Sequence, residues 1–149
     1  MKKGFTLIEL IIVMVVVAVL VTVAVPKYKM AMERGRGLEG IANAQSWSDA
    51  VNACYVKNYN NYGSDIFSCA SSLVNYTKSG NFGGTPVVSS AGESVTVSFQ
   101  RTSGLYKISF LNTSGETIQR TCSVSSASDL RYCKALGAAK NCTSTSCDF

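Results

Sequence analysis

The hydrophobic positions are distributed very unevenly along the chain. Residues 10–25 are all apolar except Thr22, whereas the chain after Ser46 is rich in Ser, Thr, Asn and Gly. A helix covering residues 5–25 would be about 32 Å long, which is enough to cross the hydrocarbon core of a bilayer. The pattern therefore predicts an apolar N-terminal segment attached to a polar, soluble module that can bury a modest core.

The helical pattern continues beyond Pro26 over residues 27–58. Apolar residues recur there at spacings of three and four, and they are Leu38, Ile41, Ala44, Trp47, Val51 and Cys54. This stripe is expected to pack on a sheet. Gly35, Gly37 and Gly40 lie in the same stretch, and each weakens a helix by up to about 1 kcal/mol relative to Ala. They fit either a close approach between subunits or simple tolerated flexibility.

Alternating segments predict strands in the second half of the chain. The alternating apolar residues are Val95, Val97 and Phe99 in one segment and Tyr106, Ile108 and Phe110 in the next. A third strand would place Ile118, Cys122 and Val124 on its inward side, with Arg120 as an exception, and a fourth is expected near residues 86–90. We therefore predict an α+β fold in which the long N-terminal helix packs on an antiparallel sheet of three or four strands.

The remaining segments are rich in turn-forming residues. Residues 59–84 predict a connecting loop with a short helix near 66–76. Another short helix is expected at 128–136, ended by Gly137. Residues 125–149 contain too little hydrophobic sequence to be held by packing alone. Disulfides, which contribute roughly 2–4 kcal/mol each, are expected to stabilise this C-terminal region.

All six cysteines lie in the polar module, at Cys54, Cys69, Cys122, Cys133, Cys142 and Cys147. An even number after an export-type N-terminus indicates disulfides formed in an oxidising compartment. The preferred pairs are 54 with 69, which would tie the helix end to the connecting loop, and 122 with 133 and 142 with 147, which are close in sequence. A four-cysteine zinc site is the alternative, although the chain has no histidine. No other metal and no cofactor is expected.

Glu9 is the one charged residue inside the apolar segment. A carboxylate costs roughly 2.5–3.5 kcal/mol at the middle of a membrane span and less near its end. No cation of the same chain is suitably placed, because Lys2 and Lys3 precede the span and Lys27 lies at its far end. A partner for Glu9 should therefore come from another molecule or from a charge created by processing.

The N-terminal motif resembles a known signal. Lys-Gly-Phe-Thr-Leu-Ile-Glu at residues 3–9, followed by the apolar run and Pro26, resembles the class III signal of type IV pilins and pseudopilins. The resemblance implies that a membrane-embedded prepilin peptidase cuts after Gly4 and methylates the new N-terminal residue, Phe5. It implies that Glu9 pairs with the Phe5 ammonium of a neighbouring subunit during assembly. Pro26 would mark where the helix can bend or locally melt.

The same resemblance implies an organisation and a function. The segments would be a leader at 1–4, a transmembrane or filament-core helix at 5–26, an amphipathic helix at 27–58 and a globular head at 59–149. The chain would be a structural subunit of a type IV pilus, a homo-oligomeric helical filament. It would depend on the bacterial inner membrane and the pilus assembly machinery, and it would end in an extracellular filament on the cell surface.

Two other functions are open within that resemblance. One is a pseudopilin of a type II secretion system. The other is a minor pilin that acts as an adhesin or a DNA-uptake subunit, in which aromatic and basic residues would stack on bases and contact phosphates; these are Tyr55, Tyr59, Tyr62, Tyr76, Lys57 and Lys78. A net charge of +5 without a basic block makes nucleic acid a disfavoured partner.

Three interpretations lie outside that resemblance. An ordinary secretory signal peptide would explain an apolar N-terminus, but Glu9 within the apolar stretch and the length of the run are unusual for one. An uncleaved signal anchor would instead place Glu9 near the membrane interface. An exported enzyme is disfavoured, because the acidic residues are scattered and the sequence shows no nucleophile–base pair or phosphate-binding loop. The scattered residues are Asp49, Asp65, Glu93, Glu116, Asp129 and Asp148. We therefore expect no enzymatic activity.

Overall fold

A computed structural model describes residues 5–58, 60–63, 65–74, 80–83, 86–91 and 93–149. Its elements are α1 (Leu7–Lys57), α2 (Ile66–Leu73), β1 (Val87–Ala91), β2 (Ser94–Gln100), β3 (Lys107–Thr113), β4 (Glu116–Ser123), a 3-10 turn (Ala127–Asp129), α3 (Leu130–Ala135) and β5 (Ser146–Asp148). The predicted α+β class is confirmed, with a long N-terminal helix and an antiparallel sheet. The described residues form five strands instead of the three or four expected.

The chain divides into two compact units, Met1–Glu33 and Arg34–Phe149. In the first unit, the large apolar side chains of residues 5–25 are 42–85% exposed. In the second unit lie the buried apolar side chains that the structure describes, together with three disulfides. The second unit therefore has a core of its own.

The sheet is a meander in which consecutive strands are antiparallel neighbours, in the order β1-β2-β3-β4-β5. Phe99 pairs with Ile108, and Ile108 pairs with Cys122, so these buried residues share the inner face of the sheet. The strand expected near residues 86–90 is β1. The unpredicted strand, β5, has only three residues, and its central Cys147 is buried against β4.

The buried stripe of α1 is confirmed at Ala44, Trp47, Val51 and Cys54, but the placement of Leu38 is wrong, because this side chain is 53% exposed. Two glycines occupy the buried face of that part of the helix instead. A Cβ atom on Gly40 would lie 2.3 Å from Phe82 Cζ, and one on Gly37 would lie 2.1 Å from Leu136 Cδ2. The close approach that these two glycines permit is therefore made within the chain, by Phe82 and Leu136 against the helix backbone.

The inward placement predicted for Ile118 is also wrong, because this side chain is 63% exposed. The register between β3 and β4 shifts at this point: Leu111 pairs with Gln119, whereas Asn112 pairs with Thr117. Ile118 is the additional residue of a β-bulge, which changes the alternation of side chains along the strand. Arg120 is, as expected, a charged residue at an inward position of the strand: it pairs with Phe110, and its guanidinium carbon lies 5.3 Å from the centre of the Phe110 ring.

The bulge also brings Thr117 into a buried polar cluster between α1 and the sheet. The hydroxyls of Ser48 and Thr117 both donate to Asn112 Oδ1, and the bond from Thr117 is 2.8 Å long. Asn112 Nδ2 in turn donates to the carbonyl of Val95 at 3.3 Å. Asn52 Nδ2 adds a longer bond of 3.4 Å to Thr117 Oγ1. Because buried polar groups are costly when unpaired, this cluster fixes where the helix lies on the sheet.

The cysteines form the disulfides Cys54–Cys69, Cys122–Cys133 and Cys142–Cys147. This is the preferred pairing from the sequence, and it overturns the alternative of a four-cysteine zinc site, because all six sulfur atoms are used. The first disulfide joins α1 to α2, whose Phe67 ring stacks on Trp47 with centroids 5.7 Å apart. The C-terminal helix ends, as expected, before Gly137, which has a φ of 102°.

Candidate functional site

The most unusual surface of the chain is its N-terminal helix. Among the described residues, one helix is long and apolar enough to cross a membrane, and none of its most apolar window is buried within the chain. Contiguous apolar patches on soluble monomers rarely exceed a few hundred Å². Lipid or other protein chains must therefore cover this surface in the cell.

Glu9 and Thr6 form a reciprocal capping box at the start of this helix. The backbone N–H and the hydroxyl of Thr6 donate to Glu9 Oε2 at 3.3 and 3.1 Å, and the backbone N–H of Glu9 donates to Thr6 Oγ1 at 3.4 Å. Such a box satisfies amide groups that have no partner inside the helix. The sequence analysis missed it, although Thr-x-x-Glu before an apolar run is its signature.

The capping box gives the Glu9 carboxylate hydrogen bonds, but it does not compensate its charge. Thr6 is neutral, so it supplies hydrogen bonds without compensating the negative charge. Glu9 Oε1 makes no hydrogen bond to any residue in the described part of the chain, and the side chain is exposed. The site therefore consists of a carboxylate on an exposed side chain, with one oxygen bound by Thr6 of its own helix.

The other predicted processing and assembly residues lie on either side of this carboxylate. Gly4 falls outside the described residues. Phe5 precedes the first helical residue, and its side chain is exposed. Pro26 lies inside α1, and because it has no N–H, it cannot donate to the carbonyl of Thr22. Separately, the Thr22 hydroxyl donates to the carbonyl of Val19 at 2.7 Å. The bending or melting expected at Pro26 stays a prediction.

Of the tyrosines considered for DNA stacking, the structure describes Tyr55 and Tyr62, and Tyr62 is not available for stacking. Tyr59, Tyr76 and Lys78 lie outside the described residues. Tyr62 is only 6% exposed, and its hydroxyl accepts a hydrogen bond from the Gly115 N–H at 3.0 Å. Burial raises the pKa of Tyr62 above its ordinary value. A ring this buried belongs to the core and cannot stack on bases.

Two of the acidic residues that could have served an enzyme, Asp148 and Asp49, are engaged in local structure. Asp148 accepts hydrogen bonds from Gln119 at 3.1 Å, from Thr121 at 3.3 Å and from Asn141 at 3.1 Å. Asp49 accepts one from Gln45 at 2.8 Å. In the part of the chain that the structure describes, no group of three His, Cys, Asp or Glu side chains could hold a metal ion.

The comparison with known families bears on the N-terminal site. Residues 1–25 match the family described as the prokaryotic N-terminal methylation motif. This motif is the class III signal-peptide signature of type IV pilins, so the match supports a type IV pilin-like protein, either a pilus subunit or a pseudopilin. It also implies processing by prepilin peptidase and handling by a pilus assembly machinery. Searches of curated proteins and of solved structures found no significant match.

Proposed function

We propose that the chain is a structural subunit of a type IV pilus, cleaved after Gly4, methylated on the amine of Phe5 and polymerised through its N-terminal helix. The observation that carries the proposal is the exposed Glu9 carboxylate at the start of α1, next to an apolar window none of which is buried within the chain. An apolar helix alone needs only a membrane. An apolar helix that presents an uncompensated carboxylate near its start needs a cation as well.

Cleavage after Gly4 would supply that cation. It creates an ammonium group at Phe5 in every subunit, so a homopolymer contains one new positive charge for each Glu9. Because Oε2 is engaged by Thr6 in the same chain, Oε1 is the oxygen left for a neighbouring subunit. Pairing of Oε1 with the ammonium of the next subunit would neutralise the carboxylate and fix the axial register of the helices.

The apolar residues would be covered at each stage of this process. Before assembly they lie in the bilayer of the inner membrane, and in the filament they pack against the same residues of other subunits. Little free energy separates these two environments, because the interior of a helix bundle is about as apolar as lipid. The energy for extraction would come from the assembly machinery, and the charge pair would specify the geometry.

The second unit fits the outer surface of such a filament. Its own core and its three disulfides allow it to stay folded outside the cell. The six cysteines and the long connection between α1 and β1 favour a pilus over a secretion pseudopilus. The resulting location is the inner membrane before assembly and an extracellular filament on the cell surface afterwards.

Glu9→Gln is the test that separates the charge from the cap. Gln is also accepted at this position of a capping box, so this variant should keep the bonds to Thr6 and lose only the charge. We expect normal cleavage and membrane insertion, with filament yield reduced about tenfold or more, since each 1.4 kcal/mol of lost pairing changes an association constant tenfold. The measurement is the ratio of subunit in sheared filaments to cleaved subunit that stays in the membrane.

Thr6→Val is the matched control, because it removes the cap and keeps the charge. It should lower the stability of the first turn by about 1 kcal/mol and leave a larger filament yield than Glu9→Gln. Wild-type filament yield from a cleaved Glu9→Gln protein would contradict the proposed role of the charge.

A further inference from the structure

A separate cavity of about 320 Å³ lies at the end of the second unit where three connections meet. It is lined by Tyr55, Asn60, Asn61, Tyr62, Glu93 and Ser114. These residues come from the last turn of α1 and the loop that follows it, from the turn between β1 and β2, and from the turn between β3 and β4. Neither the N-terminal motif nor the filament proposal gives this cavity a role.

The aromatic wall of the cavity is held in place by contacts within the chain. The rings of Tyr55 and Tyr62 lie 4.3 Å apart at an angle of 37°. The hydroxyl of Tyr62 is bound by the Gly115 N–H, and the Asn60 N–H donates to the carbonyl of Tyr55 at 3.0 Å. A Cβ atom on Gly115 would lie only 2.9 Å from Tyr55 Cδ1. The wall is therefore preformed and does not need a ligand to order it.

Backbone conformation points to the same cavity. Three described residues other than glycine have positive φ, and two of them, Asn60 at 59° and Ser114 at 54°, line it. Ser114 and Gly115 form a two-residue hairpin connection in which both φ angles are positive, a position that favours Asn or Asp before Gly. Serine is a poorer choice for that turn, and strained residues of this kind concentrate at functional sites. A contribution of Ser114 to binding in the cavity that it lines would account for it.

The lining chemistry selects a class of ligand. The described residues that line the cavity offer two carboxamides, hydroxyl groups, one carboxylate and an aromatic edge, and none of them is a lysine or an arginine. An anion would meet Glu93 without a compensating cation, whereas a polyhydroxylated neutral ring can both donate to and accept from these groups. The volume lies at the lower end of the range for small-molecule sites, which suits a single ring.

We propose that this cavity binds one neutral sugar unit, presented either free or at the end of a glycan. A single sugar unit has about a dozen non-hydrogen atoms. If each atom contributes the binding free energy that is typical of larger ligands, the dissociation constant lies in the millimolar range. Many such sites along a filament would raise the apparent affinity through avidity. The proposal for a single chain does not depend on filament formation.

The test is titration of the purified, full-length processed chain in a detergent without a sugar headgroup. The neutral probes are galactose, mannose and N-acetylglucosamine, with glucosamine as a cationic probe and N-acetylneuraminic acid as an anionic probe. Saturation-transfer NMR should detect at least one neutral sugar and show no binding of the anionic one. No transfer to any neutral probe at concentrations of tens of millimolar would overturn the proposal.

The Ser114→Gly variant tests whether the sugar binds at this cavity. Glycine tolerates the φ of 54° at this position, so the variant should fold at least as well as the parent while it loses the hydroxyl. We expect binding to weaken about threefold to tenfold, the range for one hydrogen bond. Ser103→Gly, the same change in the exposed turn between β2 and β3, should leave binding unchanged. Equal affinities of the two variants would refute the site.

Glu93→Gln distinguishes a sugar site from a cation site. The carboxamide keeps an acceptor oxygen and removes the charge, so binding of the neutral probe should persist within a few-fold. Binding restricted to glucosamine and abolished by Glu93→Gln would show an amine site instead and would overturn the neutral-sugar assignment.

Discussion

Gly40 offers the sharpest test of how the long helix packs on the sheet. A Cβ atom at this position would lie 2.3 Å from Phe82 Cζ and 2.6 and 2.7 Å from the adjacent ring carbons. Phe82 is fully buried, and its ring also meets Tyr106 edge-on with centroids 6.1 Å apart. Gly35 is the matched control, because a Cβ atom there has nothing within 4 Å.

The two Gly→Ala variants share one free-energy contribution and differ in another. Alanine gains about 1 kcal/mol of helix propensity at either site. At Gly40, carbon atoms need about 3.5–4 Å, so the ring must move by about 1 Å into a packed core, at a cost in the upper part of the 1–3 kcal/mol range for overpacking. We therefore expect Gly35→Ala to stabilise by about 1 kcal/mol and Gly40→Ala to destabilise by about 1–2 kcal/mol.

Urea unfolding of a soluble fragment that begins at Lys27 would measure both values. The fragment omits the apolar segment and keeps two helical turns before Gly35, and the buried apolar core of the described residues lies entirely within Arg34–Phe149. The chain has a single tryptophan, the buried Trp47, whose fluorescence reports on the core. Equal stabilisation of the two variants would refute the packing of Phe82 against the helix backbone.

Two further predictions concern the same fragment. Replacing Cys54 and Cys69 together by Ser should lower the free energy of unfolding by about 2–4 kcal/mol. Tryptophan fluorescence should also shift to the red, because α2 would leave the core. Unchanged stability would show that this disulfide is dispensable. Asn112→Ala should cost about 1–3 kcal/mol in urea unfolding, because the hydroxyls of Ser48 and Thr117 lose a shared buried acceptor, and a neutral effect would contradict the role given to the polar cluster.

Features with a regular period or a covalent constraint were predictable from the sequence. The alternation around Val97 and Ile108 gives the two central strands, and the spacing from Ala44 to Cys54 gives the buried side of α1. The pair Cys54 and Cys69 was expected from its position at a helix end and in the connecting loop, whereas the other two pairs were expected from their closeness in sequence. In each case one physical signal dominates over several residues, so tertiary context has little room to alter the outcome.

Features that depend on a single residue in three dimensions were not predictable. Leu38 fits the helical period, but glycines on the neighbouring face let large side chains reach the backbone there. Ile118 fits the strand period, but a bulge shifts the register. The strand β5 is too short to show a period. The capping box at Thr6 differs from these features, because its Thr-x-x-Glu signature is present in the sequence.

The central claim is that processing creates the cation that pairs with Glu9. Mass spectrometry of the N-terminal peptide, from protein recovered at the native cell surface, tests it most directly. We expect a chain that begins at Phe5 with a methylated amine. A chain that begins near Val25, or one that keeps Met1 in a host with an active prepilin peptidase, would contradict it.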